Sequence, residues 1–589
     1  MYTILENARI VISLLKQHNI RHIVLSPGGS NIPITQGVQE DPFFICHSVV
    51  DERSAIYFAI GLYQQTGEII ACSCTSAQAT RNYIPGLTEA YYKHAPILAL
   101  TMSKHPKFLG QDYMQCPIQT SLPIDAVKAS YTLPRINDNN DRELVIRTAN
   151  EALLELTHHG SGPVQLNIEE LDSETWVLDR NIKQLDEVRC IHRYHYWDNI
   201  DASELNNKSI LIVIGDHREF TPAEQLCIER FCHTHNAVIY TNLVSNYYGK
   251  YAINGNLAVQ SSTQQYFNQN LLPDIVISIG ALTGDYGIYS RLNSAPKDSF
   301  QHWRVSLDGN VVDTYGKLTR VYEMREEDFF TRNSNDDTEN NHSYYTKWLS
   351  LIQTLNYDVQ LPLSNLFAAT LLSKTIPQGS TLVLAIHNSL RVWNFMQMNH
   401  RVHSLSPVNA FGIDGATSMT IGASCATEEL CFLITGDLAY LYDINALSIR
   451  EKRNNIRILL CNNNGGFEFK GGNLNDYVDV GKYIAADNHF INSQGWAETN
   501  GFLYKKVTDP TQLEQELPLF TSPSDQPIIL EIFTSPTNEK EAYDNLIRAN
   551  WHGTPDETTK REIISGASII IKTIAGKTVL KKIKQIIHK

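Results

Sequence analysis

The sequence is short of several features that would place it in a class at once. It carries only 10 cysteines in 589 residues, with no C-x-x-C pair and no dense framework. That excludes a disulfide-stapled scaffold and fits a reducing compartment. No apolar run reaches ~18 residues, so no stretch reads as a membrane span. The opening MYTILENARIVISLLKQHNI is interrupted by Glu6 and other polar residues and makes a poor secretory leader. It predicts instead an amphipathic first helix with Ile10, Leu14 and Leu15 on one face, in a cytoplasmic protein. Positive charge is scarce: 49 Lys and Arg against 63 Asp and Glu give a net charge of −14. This argues against a nucleic-acid binder, whose phosphate contacts need clustered basic side chains. SIGALTGDYG lacks G-x-G-x-x-G, so a nicotinamide or flavin site is unsupported, and no short-period repeat is present.

What is there is a chain able to bury a large core, 42% hydrophobic and 19% charged. Apolar, β-branched runs alternate with helical stretches, which predicts an α/β fold of three domains, each a mostly parallel sheet flanked by helices. RHIVLSPGG, EIIACSCTS, APILALTMS and GPVQLNI supply strands for a domain over 1–175. SILIVIGD, NAVIYTN, DIVISIG and WRVSLDG supply a domain over 190–345, and TLVLAIHNS, CFLITGDLA, IRILLCNNN and PIILEIF one over 360–540. The stretch from Asp172 to Asn199 reads as a linker, Arg325 to Ser343 as a mobile connection, and 541–589, ending in the basic KKIKQIIHK, as a tail whose last helix docks on its own subunit, the alternative being contact with an anionic membrane surface or a partner. CIERFCHTH (Cys227, Cys232, His233, His235) suits none of the common structural zinc spacings.

The strongest chemical signal is GDLAYLYDINALSIREKRNNIRILLCNNNGG. Gly436 and Asp437 end one strand; the next ends at Asn462, Asn463 and Asn464, so that 463 − 437 = 26 positions separate carboxylate from amide. Neighbouring parallel strands deliver their C-terminal ends into one crevice. A carboxylate, an amide oxygen and a backbone carbonyl such as that of Gly465 form a hard oxygen set, suited to Mg²⁺ shared with phosphate oxygens. Either piece alone reads as a turn; together, at this spacing, they match the signature of thiamine diphosphate (ThDP), GD followed after about two dozen residues by NN. That coenzyme needs a shielded carboxylic acid to promote the imino tautomer of its aminopyrimidine. Glu52, between an apolar strand and an apolar helix in FFICHSVVDERSAIYFAIGLYQQTG, is the candidate.

With SPGGSN, DERSAIYFAIGLYQQTG, CTSAQATRNYIPGLTEAYYKHAPILALT, GIDG, GDLAYLYDINAL and NNNGG, the chain resembles the 2-succinyl-5-enolpyruvyl-6-hydroxy-3-cyclohexene-1-carboxylate (SEPHCHC) synthases of menaquinone biosynthesis over roughly residues 5 to 535. The resemblance implies a pyrimidine-binding, a middle and a diphosphate-binding domain, ThDP and Mg²⁺ as cofactors, and active sites shared between subunits of a homodimer or homotetramer. It implies that Glu52 activates the cofactor, that Asp437, Asn463 and the Gly465 carbonyl bind magnesium, and that Ile413 supports the cofactor's bent conformer. Gln115 and Ser389 match an active-site glutamine and serine.

The basic residues that the family turns on its anionic substrates, 2-oxoglutarate and isochorismate, are replaced here. Ser30, Trp393 and Val408 stand where arginines are expected, His105 and Lys104 stand near another, and Asp285 and Tyr286 replace a basic pair. A charge-assisted contact is worth roughly 1.5–3 kcal/mol, and a carboxylate at Asp285 would repel an anionic acceptor. The expectation is therefore an enzyme that decarboxylates a 2-oxo acid and passes the acyl-anion equivalent to a different acceptor. The alternatives are a genuine SEPHCHC synthase, a simple 2-oxo-acid decarboxylase and a non-catalytic ThDP-binding scaffold. Lys104, Arg391 and Trp393 are candidates for substrate contact, and His387 and His105 for proton transfer.

Overall fold

The computed structural model describes residues 2–169, 182–335, 340–470 and 477–553. The chain groups into two compact units: one takes the residues up to His195 together with Asp308–Glu323, the other the rest of the described chain. Three sheets run through it, and the paired strands are parallel.

In the first unit the strands lie in the order Ile45–Ser48, His22–Leu25, Ile70–Cys74, Ile97–Ser103, Val164–Glu169 and Ala129–Leu133. Successive side chains of a strand point to opposite faces. Leu98, Leu100 and Met102 therefore pack into one core with helices Glu6–Gln17 and Asn139–Glu155. Ile97 and Ala99 pack into another with helices Glu52–Thr66 and Ile84–Tyr92. Being covered on both faces is what makes these strands read as continuous apolar runs. The parallel pair His192–His195 and Leu318–Glu323 also belongs to this unit.

The second unit holds strands in the order Ala252–Asn254, Ala237–Thr241, Ile210–Ile214, Ile275–Ile279 and Gln301–Val305, and a further six-stranded sheet. The latter runs His403–Leu405, Thr381–Leu384, Cys431–Gly436, Ile456–Asn462, Ile528–Phe533 and Leu503–Val507. The same alternation builds its two cores, with Phe432, Ile434 and Leu459 on one side and Leu433, Ile458 and Leu460 on the other. Asn394 ties the unit together by accepting from the Leu243 N–H at 3.0 Å, while its carbonyl accepts from Asn254 at 2.9 Å.

The expected strands form. Those that the sequence does not announce, such as Ala129–Leu133, His403–Leu405 and Leu503–Val507, lie at sheet edges, where one side is solvated and an apolar run is not required. The mobile connection expected over Arg325 to Ser343 needs correction. Glu326–Arg332 is a helix whose Phe329 and Phe330 are fully buried, with Phe330 set edge-on to Phe231 at 5.2 Å. Its acidic residues occupy the first turn, which the helix dipole favours. The linker expected around Asp172 to Asn199 contains the strand His192–His195, with 170–181 outside the described residues. The tail also begins later than expected, because helix Pro536–Ala549 puts Ala542 and Leu546 into the core; 554–589, including KKIKQIIHK, lie outside the described residues.

Candidate active site

Strands Cys431–Gly436 and Ile456–Asn462 run side by side with Gly436 opposite Cys461, so the residues that follow them meet. Asp437 opens a short helix and is 3% exposed. Its Oδ1 accepts from the Leu438 N–H and its Oδ2 from the Gly465 N–H, both at 2.8 Å. Burial pushes the carboxyl pKa upward, against these bonds and the nearby Lys470.

The amide of Asn462 is committed to Glu531 at 2.7 Å, whereas Asn463, 7% exposed, leaves its Oδ1 buried without a partner. An orphaned buried acceptor costs ~1–3 kcal/mol, and a cation beside it removes that cost. Gly465 has φ +126°, and a Cβ there would stand 2.7 Å from the Ala485 carbonyl oxygen, so only glycine fits. Asn464, at φ +64°, is held by two hydrogen bonds with Asn488, of 2.9 and 3.1 Å. The loop thus presents a buried carboxylate and an unpartnered amide oxygen beside the Gly465 backbone. This donor set fits a hard divalent ion shared with a diphosphate.

Glu52 is the first residue of helix Glu52–Thr66, behind an N-cap in which Asp51 accepts from the Ser54 N–H at 3.0 Å. Ala55, Ile56, Ala59 and Ile60 face the core. The burial expected of Glu52 is absent within the single chain: it is half-buried, with Oε2 accepting from Asn82 at 3.2 Å. Helix geometry explains the difference, since the buried stripe starts at Ala55 and leaves the head of the helix beside the exposed Val50, Tyr57 and Phe58. Inward of it lie Cys74 and Tyr83, whose pKa values are raised chiefly by burial and further by the Glu52 charge.

Gln115 is exposed on a loop at φ +59°. Gln119, four positions on, is the buried glutamine: its Oε1 accepts from the Ala77 N–H at 2.7 Å and its Nε2 donates to the Met102 carbonyl at 2.6 Å. Lys104 is half-buried. His105 caps a turn, its Nδ1 accepting from the Lys107 N–H at 3.0 Å, with Nε2 3.6 Å from Glu169. Ser30 is buried.

In the second unit His387 precedes helix Asn388–Trp393 at φ +64°, a strained position for a residue with a Cβ. Its ring stands edge-on to Phe411 at 5.4 Å, its Nδ1 is buried without a partner, and burial lowers its pKa. Arg391 donates to Glu468 at 2.9 Å, with both side chains nearly buried, and lies 5.4 Å from the Tyr286 ring. Ile413 is half-buried. Asn365 receives the Trp393 indole N–H at 2.9 Å and donates to Ser389 at 3.2 Å.

Three expectations change here. Trp393 is fully buried with its only polar group committed, so it supports Asn365 and, through it, Ser389 from the core. Asp285 does not project at an anion: it caps helix Tyr286–Ser294 and receives the Tyr240 hydroxyl at 2.6 Å. Arg391 is not free to grip a carboxylate, because Glu468 already has it. Val408 is fully buried against Gly284. The sequence reading missed Glu468, visible as an acid in an otherwise apolar FEF, and Glu539, a fully buried acid that accepts from the Asn365 N–H at 3.0 Å and from Asn388 at 3.2 Å. Cys227, Cys232, His233 and His235 do not converge: His235 binds the Asn333 carbonyl and Cys227 receives Thr331.

Residues 6–122 match the thiamine pyrophosphate enzyme, N-terminal TPP binding domain. The chain is 32% identical over 564 residues to a SEPHCHC synthase of Phocaeicola vulgatus, covering 94% of this chain and 99% of that one. It is 31% identical to the synthase of Bacteroides thetaiotaomicron, with 91% and 97% covered, and 27% identical to that of Flavobacterium psychrophilum, with 91% and 97% covered.

Proposed function

The chain belongs to the SEPHCHC synthase family of thiamine pyrophosphate enzymes, and from that premise we propose that it decarboxylates a 2-oxo acid and joins the acyl-anion equivalent to an acceptor less anionic than isochorismate. Asp437, the Asn463 amide oxygen and the Gly465 carbonyl would hold Mg²⁺, and through it the diphosphate. Bound ThDP supplies a nucleophilic carbon and the electron sink for loss of CO₂. Glu52 would hold and return a proton at its carboxylate, a task that requires shielding from water. Exposed Val50, Tyr57 and Phe58 beside Glu52, and exposed Tyr442 at the end of the Asp437 helix, support shielding by a second copy of the chain. Ile413 would support the cofactor, Ser389 and Gln115 would line its site, and the unpartnered Nδ1 of His387 would hold or release a proton there. Ten free cysteines and the absence, among the described residues, of any helix long and apolar enough to cross a membrane support a cytoplasmic setting.

One observation carries the choice of acceptor: the arginine two positions before the expected one, Arg391, is paired with Glu468 at 2.9 Å. With Val408 and Trp393 in the core, a second or third substrate carboxylate meets no unopposed charge from these positions. The near-full-length identity to named synthases supports a second reading, SEPHCHC synthase itself. The test is to supply 2-oxoglutarate with isochorismate, or 2-oxo acids with neutral aldehydes, and follow CO₂ release and carbon–carbon product. Ligation to neutral acceptors alone is the expected outcome. Efficient turnover of isochorismate establishes the second reading, and CO₂ release with an aldehyde but no ligation makes the protein a lyase.

A further inference from the structure

Away from this site, the first unit brings together a cluster of a different chemical character. His18 ends the first helix, Cys190 precedes the strand His192–His195, and His192 begins it. A ligand atom from each lies within 4.8 Å of the others. His18 Nε2 and Cys190 Sγ are 3.3 Å apart, and the two imidazoles are centred 5.6 Å apart. In a tetrahedral zinc site, Zn–S near 2.3 Å and Zn–N near 2.0–2.1 Å place sulfur and nitrogen roughly 3.5 Å apart. We propose that His18, Cys190 and His192 bind one borderline-soft divalent cation of the zinc class, which clips the end of the first helix to this strand.

The surroundings hold the ligands in place. Asn150, fully buried, donates to the Arg189 carbonyl at 3.1 Å and accepts from the Ile191 N–H at 2.7 Å, clamping the backbone on both sides of Cys190. Such outer contacts hold ligands in place in metal sites. Cysteine ligates such an ion as the thiolate, so binding at Cys190 releases a proton. One sulfur and two nitrogens disfavour Mg²⁺. Arg320, opposite His192 in the ladder, opposes a dication; the thiolate halves that charge, and the guanidinium stacks on Tyr194. His192 is exposed, which leaves the fourth position to water. The other such cluster among the described residues, His158 with His159 and Glu323, is less apt, because both ring nitrogens of His158 already engage Glu155 and the Asp308 carbonyl.

The experiment titrates chelator-stripped full-length protein with Co²⁺ in saturating Mg²⁺. The expected result is one equivalent bound with a thiolate-to-cobalt charge-transfer band, displaced by Zn²⁺. The band should vanish in Cys190→Ser, binding should weaken at least tenfold in His192→Gln, and Asp437→Ala should leave both unchanged. Absence of the band in the wild type, or its persistence in Cys190→Ser, overturns the proposal. Should Cys190→Ser fail to fold, unchanged affinity in His192→Gln, an exposed position, overturns it equally.

Discussion

At the scale of single residues, two neighbouring asparagines of the candidate site differ in what they bond. Asn463 Oδ1 is buried and unbonded, while the adjacent Asn462 is spent on Glu531. Asp437→Ala and Asn463→Ala are therefore expected to weaken Mg²⁺-dependent ThDP binding at least tenfold, and Asn462→Ala to act mainly on stability; calorimetry separates the two. Glu539 makes a case for pH. Burial raises its pKa from 4.5 to about 7. Between those values the folded protein keeps a proton that the unfolded chain has lost, so stability falls as pH rises through this window. In the presence of chelator, Glu539→Gln should match wild type below pH 4.5 and be more stable above pH 7, by at most roughly 3 kcal/mol in urea denaturation. Glu468→Gln should release Arg391. A regained charge-assisted contact of about 1.5 kcal/mol would raise kcat/KM for 2-oxoglutarate relative to pyruvate roughly tenfold. An unchanged ratio would show that Arg391 does not face the donor.

Elements set where those residues stand. Glu52 rides on a helix whose position depends on Gly86, because a Cβ at Gly86 would come within 2.6 Å of Ile56 Cβ. The backbones of helices Glu52–Thr66 and Ile84–Tyr92 can approach only over that glycine. Gly86→Ala should cost ~1–3 kcal/mol by overpacking and also slow cofactor C2 proton exchange, since it shifts the helix that carries Glu52. Normal exchange, followed by NMR in a folded variant, would show that this packing does not position Glu52. The same reasoning explains which elements were legible. Fully buried strands carry apolar runs, whereas edge strands and the Glu326–Arg332 helix hide their few buried side chains among polar ones.

The whole molecule is where the half-buried Glu52 becomes intelligible. Val50 is 77% exposed, Tyr57 47% and Tyr442 67%, large apolar surfaces beside the two halves of the proposed site. We expect them to meet in a homodimer or homotetramer. If each site takes Glu52 from one subunit and Asp437 from another, mixing inactive Glu52→Gln and Asp437→Ala proteins under exchange conditions should restore up to roughly a quarter of wild-type activity, because half the dimers are hybrid and each hybrid holds one intact site. No recovery despite proven subunit exchange would place both residues in one chain. Phe58→Asp should shift the sedimentation of the wild-type assembly toward monomer and abolish activity together.

The sequence by itself determined the three sheets and the approach of Asp437 to the Gly465 loop, because strand alternation and the loops that end strands are written locally and parallel pairing does the rest. It also carried the family. Only the tertiary structure decided which charges are available. Arg391 is quenched by Glu468, 77 positions away, Asp285 is taken by a helix N-terminus and Tyr240, and Trp393 is sealed into the core. Charge neutralisation and burial depend on partners that the fold brings from a distance, and a residue's identity says nothing about whether such a partner will arrive.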